Sequence, residues 1–138
     1  MYQINLIGLL VKDVEQTIEF YQKAFNFHVV SGKTINPKGE ARAFIRGGNM
    51  ILELTQLVDG KSGALEGAIG HIGFFVDDLE SEIERLKKLG IKLDSDIPGH
   101  IPVNQIRKVP NGRIFYFRGI NDELIGLIQL AEDSAFRK

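Results

Sequence analysis

The sequence predicts an α+β domain built from one β-α-β-β-β unit used twice. Three observations carry that prediction. Ile4 to Glu15 can be laid over Ile69 to Glu80 with identities at Ile4/Ile69, Ile7/Ile72, Gly8/Gly73, Val11/Val76, Asp13/Asp78 and Glu15/Glu80. Each half closes on a similar segment, Leu52-Glu53-Leu54-Thr55-Gln56-Leu57 in the first and Ile125-Gly126-Leu127-Ile128-Gln129-Leu130 in the second. Between these anchors both halves have the same order of strand, helix and turn signals. Two matches in one order, at opposite ends of each half, indicate a duplication.

Residues 4 to 11 form an apolar run that reads as a strand buried on both faces. Asp13 follows as an N-cap, with Gln16 three residues on. Val14, Ile18, Tyr21 and Phe25 then recur at helical spacing, which predicts an amphipathic helix over 14–25. The second half repeats the pattern with Asp78 as cap and Leu79, Ile83, Leu86 and Leu89 as the apolar stripe, stopped by Gly90. Three further strands are expected in the first half, over 27–34, 41–46 and 50–57, divided by Asn36-Pro37-Lys38-Gly39 and Gly47-Gly48-Asn49. In the second half they are expected over 91–95, 113–118 and 123–130. Pro110-Asn111-Gly112 is a turn there, and 104–109 is a candidate partner of the strand that follows it. Gly60 to Gly67 reads as the linker between modules (about 4–57 and 69–130) of one domain spanning 1–138, with a polar, peripheral tail over 131–138.

Composition narrows the function classes. A chain of 138 residues with 43% hydrophobic and 25% charged residues is long enough for a real core. Seventeen basic against eighteen acidic residues give a net charge of −1, so nothing points to nucleic acid or an anionic membrane as partner. The absence of cysteine removes disulfides, thiolate catalysis and cysteine-based zinc sites. No apolar run reaches the ~18 residues of a membrane span, and Met1 to Asn5 runs straight into a strand pattern without a leader-like segment. The expectation is a cytoplasmic protein with a small-molecule partner.

Leu6 to Glu15 with Phe20-Tyr21, and His71 to Glu80, resemble the opening of a module of the vicinal oxygen chelate superfamily. That group takes in glyoxalases, bleomycin resistance proteins and extradiol dioxygenases. Arg113 to Gln129 resembles its last hairpin, and the resemblance covers residues 4 to 130. It implies a cupped mixed sheet with the helices outside, and a homodimer. It also implies four ligands to a divalent ion (Ni, Zn, Mn, Co or Fe), one from the first and one from the last strand of each module. Carried over position by position these are Leu6, Glu53, His71 and Gly126. Glu53 and His71 fit, whereas Leu6 and Gly126 do not, so the metal site is incomplete.

The repeat gives the same pairing, Leu6 with His71 and Glu53 with Gly126. Strand parity then places Leu10, Thr55, Phe75, Leu124 and Ile128 on the same faces. The implied pocket is apolar, with one imidazole and one carboxylate.

Two readings stand open. One is a glyoxalase-like lyase or isomerase, with Glu53 as base or ligand and His71 as ligand or proton donor. A carboxylate facing inward is costly without a partner, which favours a function for Glu53. The other is a metal-free binding protein of the bleomycin-resistance type. The extradiol dioxygenase pattern, two His and one carboxylate, is not met. His100 lies in a loop expected at the surface and His28 on an exposed strand. Arg42 and Arg113, placed as equivalents, either bind an anionic substrate or pair with carboxylates.

Overall fold

The computed structural model describes residues 2–60 and 67–137. The chain divides into two units, Met1–Ala64 and Leu65–Lys138, and most of the expected linker, 61–66, lies outside the described residues. Each unit is a four-stranded mixed sheet with one helix.

In the first unit, β1 (Leu6–Leu10), α1 (Val14–Phe25), β2 (His28–Ile35), β3 (Ala41–Gly47) and β4 (Met50–Gln56) give the strand order β1-β4-β3-β2. β1 runs parallel to β4, and the other pairings are antiparallel. The helix starts where expected. Asp13 is extended (φ −151°, ψ 119°), and its Oδ1 accepts from the Gln16 N–H at 2.8 Å. A second orphan donor of the first turn, the Val14 N–H, is taken by Gln56 Oε1 at 2.9 Å. Asn26 ends the helix in the left-handed region at φ 57°. The buried stripe is Val14, Thr17, Tyr21 and Ala24, whereas Ile18 and Phe25 are only half-buried. Thr17 tolerates burial because its hydroxyl donates to Asp13 O at 2.8 Å.

That stripe faces one side of the sheet, where Ala43, Ile45, Leu52 and Leu54 are fully buried. The other side is open. Leu6 and Leu10 are 46% and 44% exposed, which corrects the expectation that the first strand is buried on both faces. β1 is an edge strand whose helix-side residues alone enter the core.

In the second unit, β5 (Ile72–Phe75), α2 (Leu79–Lys88), β6 (Ile106–Val109), β7 (Gly112–Arg118) and β8 (Leu124–Leu130) give the order β5-β8-β7-β6. Asp78 caps α2 by accepting from the Ser81 N–H at 3.0 Å, and Gln129 Oε1 accepts from the Leu79 N–H at 2.8 Å. The duplicated glutamines thus do the same work in both copies. Leu79, Ile83 and Leu86 are buried, and Gly90 (φ 78°) closes the helix.

The strand expected over 91–95 does not form. After Gly90 the chain runs without a ladder to Gln105, burying Leu93 and Val103 on the way. Pro98 and Pro102 in this stretch have no N–H to give a ladder. Residues 106–109 supply the fourth strand instead, hairpinned to β7 through Pro110-Asn111. Most of the tail over 131–137 is exposed. Ser134 is buried, residues Ala135–Arg137 form a short 3-10 turn, and the Phe136 ring stacks on Phe75 (centroids 6.2 Å, 17°). No helix among the described residues is long and apolar enough to cross a membrane.

Candidate functional site

The faces of the two sheets turned away from the helices carry Leu6, Leu10, Glu53, Thr55, His71, Phe75, Leu124, Gly126 and Ile128. In the first unit the register sets three rows across the strands. His28, Arg46, Ile51 and Leu6 make one, Phe44, Glu53 and Gly8 the next, and Thr34, Arg42, Thr55 and Leu10 the third. Leu6, Leu10, Glu53 and Thr55 therefore share a face, as strand parity predicts. Gly8 leaves a hollow there, since a Cβ on it would meet nothing within 4 Å. Leu6 and Leu10 stand on either side of the hollow, and Glu53 lies across from it.

Glu53 is half-buried, and it is not alone. Arg42 Nε lies 3.2 Å from Glu53 Oε2. The two are diagonal neighbours across the ladder, a spacing that long side chains reach. The inward carboxylate that the sequence left without a partner has one, supplied by the adjacent strand.

The second unit presents His71, Phe75, Leu124, Gly126 and Ile128 on the face away from its helix. His71 sits just ahead of β5 and is exposed, so it is not a core histidine. Its ring meets Tyr116 edge-on, with centroids 5.4 Å apart at 87°. Tyr116 is directly opposite Gly126. A Cβ on Gly126 would lie 3.2 Å from Tyr116 Cε1, 3.3 Å from Ile114 Cδ1 and 3.5 Å from His71 Cδ2. The space of a fourth donor is thus filled by rings. Leu124 is 3% exposed, Ile128 is half-buried, and Phe75 is 61% exposed beneath Phe136.

These residues do not fit a four-donor divalent site. Leu6 and Gly126 bring no donor atom, Glu53 is ion-paired, and a side chain at 126 would crowd Tyr116 and Ile114. Among the described residues no group of three or more His, Cys, Asp or Glu is placed to hold a metal ion.

Register also corrects one equivalence and reveals two others. Arg42 faces Thr55, but Arg113 faces Gln129 on the helix side of its sheet. There Arg113 forms two hydrogen bonds of 2.7 Å to Glu80 and one of 2.9 Å to Gln129. Arg113 thereby holds the Glu80 carboxyl down at about 2. The true counterpart of Arg42 is Ile114, opposite Ile128. Between Arg46 and Ile51 lie residues 47–50, and between Arg118 and Leu124 lie 119–123, so the second connection is one residue longer. Ladder position then makes Phe44 and Tyr116 equivalent, opposite Glu53 and Gly126, and likewise Arg46 and Arg118, opposite Ile51 and Leu124. Sequence reading missed all four. A gapped overlay of the two hairpins finds them.

Comparison with known proteins agrees with this architecture. A Bacillus subtilis (strain 168) protein, YwbC, is 26% identical over 130 residues, covering 92% of this chain and 97% of its own. The structure of TnmS3, an antibiotic binding protein from Streptomyces sp. CB03234, superposes with a TM-score of 0.68 at 21% identity, over 95% of this chain and 98% of that one. The fosfomycin resistance protein FosX from Mesorhizobium loti superposes with a TM-score of 0.67 at 19% identity, over 100% and 99%. The family profile described as Glyoxalase/Bleomycin resistance protein/Dioxygenase superfamily matches residues 3–122, and with the duplicated units and their shared ladder register it establishes that the chain belongs to that superfamily.

Proposed function

We propose that this protein binds a small, largely apolar molecule on the open faces of its sheets, without a metal. One observation carries the reading: both residues kept at family ligand positions are engaged by the protein itself, Glu53 by Arg42 and His71 by Tyr116. The surroundings suit such a ligand. Leu6, Leu10 and Phe44 flank the hollow over Gly8, while Phe75, Tyr116 and Ile128 line the second face. A structural relative described as an antibiotic binding protein supports the same class. We further propose a homodimer, the assembly that the family resemblance implies.

A second reading is favoured by the Glu53 geometry. Glu53, held by Arg42 through Oε2, would act as a base, with His71 as proton donor in a glyoxalase-like lyase or isomerase. Thermal melts with Mn, Ni, Zn, Co and Fe separate the cases. A site filled to a hundred times its Kd adds about 2.7 kcal/mol, or a rise of several degrees. We expect no such rise, and we expect bleomycin or a co-purifying compound, read by native mass spectrometry, to bind Glu53→Gln as it binds wild type. A metal-dependent rise that Glu53→Gln abolishes would overturn the binding reading in favour of the enzyme.

A further inference from the structure

Glu53 is the one carboxylate on the open face of the first sheet, and two guanidiniums flank it. Arg42, opposite Thr55, and Arg46, opposite Ile51, are both diagonal to Glu53, their backbone positions roughly 7–8 Å from it across the ladder. The carboxylate is committed to Arg42. Arg46 is half-buried, and among the described residues no hydrogen bond or ion pair reaches it. Its direct neighbour across β2 is His28, another nitrogen donor. A guanidinium and an imidazole directly opposite each other set two groups of nitrogen donors on one patch of the face. The charged and titratable groups of this face are His28, Arg46, Arg42 and Glu53, so it is net cationic in a chain of net charge −1. The second unit keeps an arginine at the same ladder position. Arg118 is 3% exposed, and its Nη1 donates to Asp122 O at 3.2 Å.

Resting on the open face as the ligand surface, we propose that Arg46, with His28 opposite it, is an oxyanion site. It takes the carboxylate or phosphate end of a ligand whose apolar body lies over Ile51, Leu6 and the Gly8 hollow. A guanidinium offers paired N–H donors that match either oxyanion. The adjoining leucine and isoleucine suit a hydrocarbon or aromatic body rather than a free inorganic ion.

Phenyl phosphate, inorganic phosphate and phenol are the probes, with affinity read by calorimetry on the full chain. Phenyl phosphate is expected to bind more tightly than either of the others. Arg46→Met is expected to lower its affinity by roughly ten- to a hundredfold, the worth of one hydrogen bond to a charged group, and to leave phenol unchanged. Arg46→Lys should restore part of the loss, and His28→Asn should cost less than Arg46→Met. Rising salt should weaken phenyl phosphate and not phenol. Equal affinity of Arg46→Met and wild type for phenyl phosphate would overturn the site. So would phenol binding while phenyl phosphate does not, although the open-face reading would then survive. Failure of all three probes would remove both.

Discussion

Two strand glycines on the faces away from the helices, exposed Gly8 and buried Gly126, are expected to answer the same substitution with opposite signs. Neither has a positive φ, so alanine is compatible with both backbones, and replacing glycine reduces the freedom of the unfolded chain by about 0.4–1 kcal/mol. At Gly8 the new methyl meets nothing within 4 Å. The gain stands alone, and Gly8→Ala should raise the melting temperature by roughly 1–4 °C for a chain of this size. At Gly126 the methyl lands 3.2 Å from Tyr116 Cε1 and 3.3 Å from Ile114 Cδ1 in a buried position. Overpacking of that kind costs about 1–3 kcal/mol, which exceeds the same gain, so Gly126→Ala should lose about 0.5–2 kcal/mol. Urea titration of both variants, and of Gly126→Ala combined with Tyr116→Ala, tests the cause. If ring crowding is responsible, the alanine at 126 is less costly in the Tyr116→Ala background, a positive coupling in the cycle. A Gly126→Ala protein as stable as Gly8→Ala, or additive effects with Tyr116→Ala, would refute the claim that rings occupy the place of the missing donor.

The remaining predictions concern the helix starts and one surface pair. Gln56→Leu and Gln129→Leu each strand a first-turn N–H, of Val14 and Leu79, and should cost about 1–3 kcal/mol in urea titrations. Gln129→Leu should be the costlier, because Gln129 also accepts from Arg113. The Glu80 carboxyl, lowered to about 2 chiefly by its hydrogen bonds from Arg113, should titrate by NMR near that value and move up toward 4.5 in Arg113→Met. Because the folded value is depressed, the pair's contribution is present above pH 4.5 and fades as pH falls through about 2. Glu80 is exposed and Arg113 half-buried, and salt should weaken the pair.

Most of the fold was legible because it rests on local chemistry. Asp13, Asp78 and Gly90 end or start helices through bonds made within a few residues, and the turns at Asn36-Pro37-Lys38-Gly39 and Pro110-Asn111-Gly112 lie where their composition puts them. Residues 91–95 misled because Leu93 and half-buried Ile91 are apolar for a different reason: they face inward from an irregular segment that joins no ladder. Parity along a single strand placed Leu6, Leu10, Glu53 and Thr55 correctly. It says nothing of a neighbouring strand's register, and there one added residue before Leu124 sends Arg113 to the wrong face of the comparison. The Arg42–Glu53 pair stayed hidden for the same reason, since it depends on how β3 lies against β4.

The divergence of the two copies argues for a binding role more strongly than either face alone. Duplicate units that share caps, helix stripes and glutamine acceptors have kept what folds them and changed what faces outward. At one ladder position the first copy holds a carboxylate under Phe44, and the second holds a glycine under Tyr116. A carboxylate at 126 would press on Tyr116 and Ile114, and in the first copy Leu6 brings no donor atom. Restoring a metal site therefore needs concerted change in both copies. Enlarging or reshaping an apolar surface needs only single substitutions such as those at Gly8, Phe44 and Phe75, each tolerated by a sheet whose opposite face supplies the core.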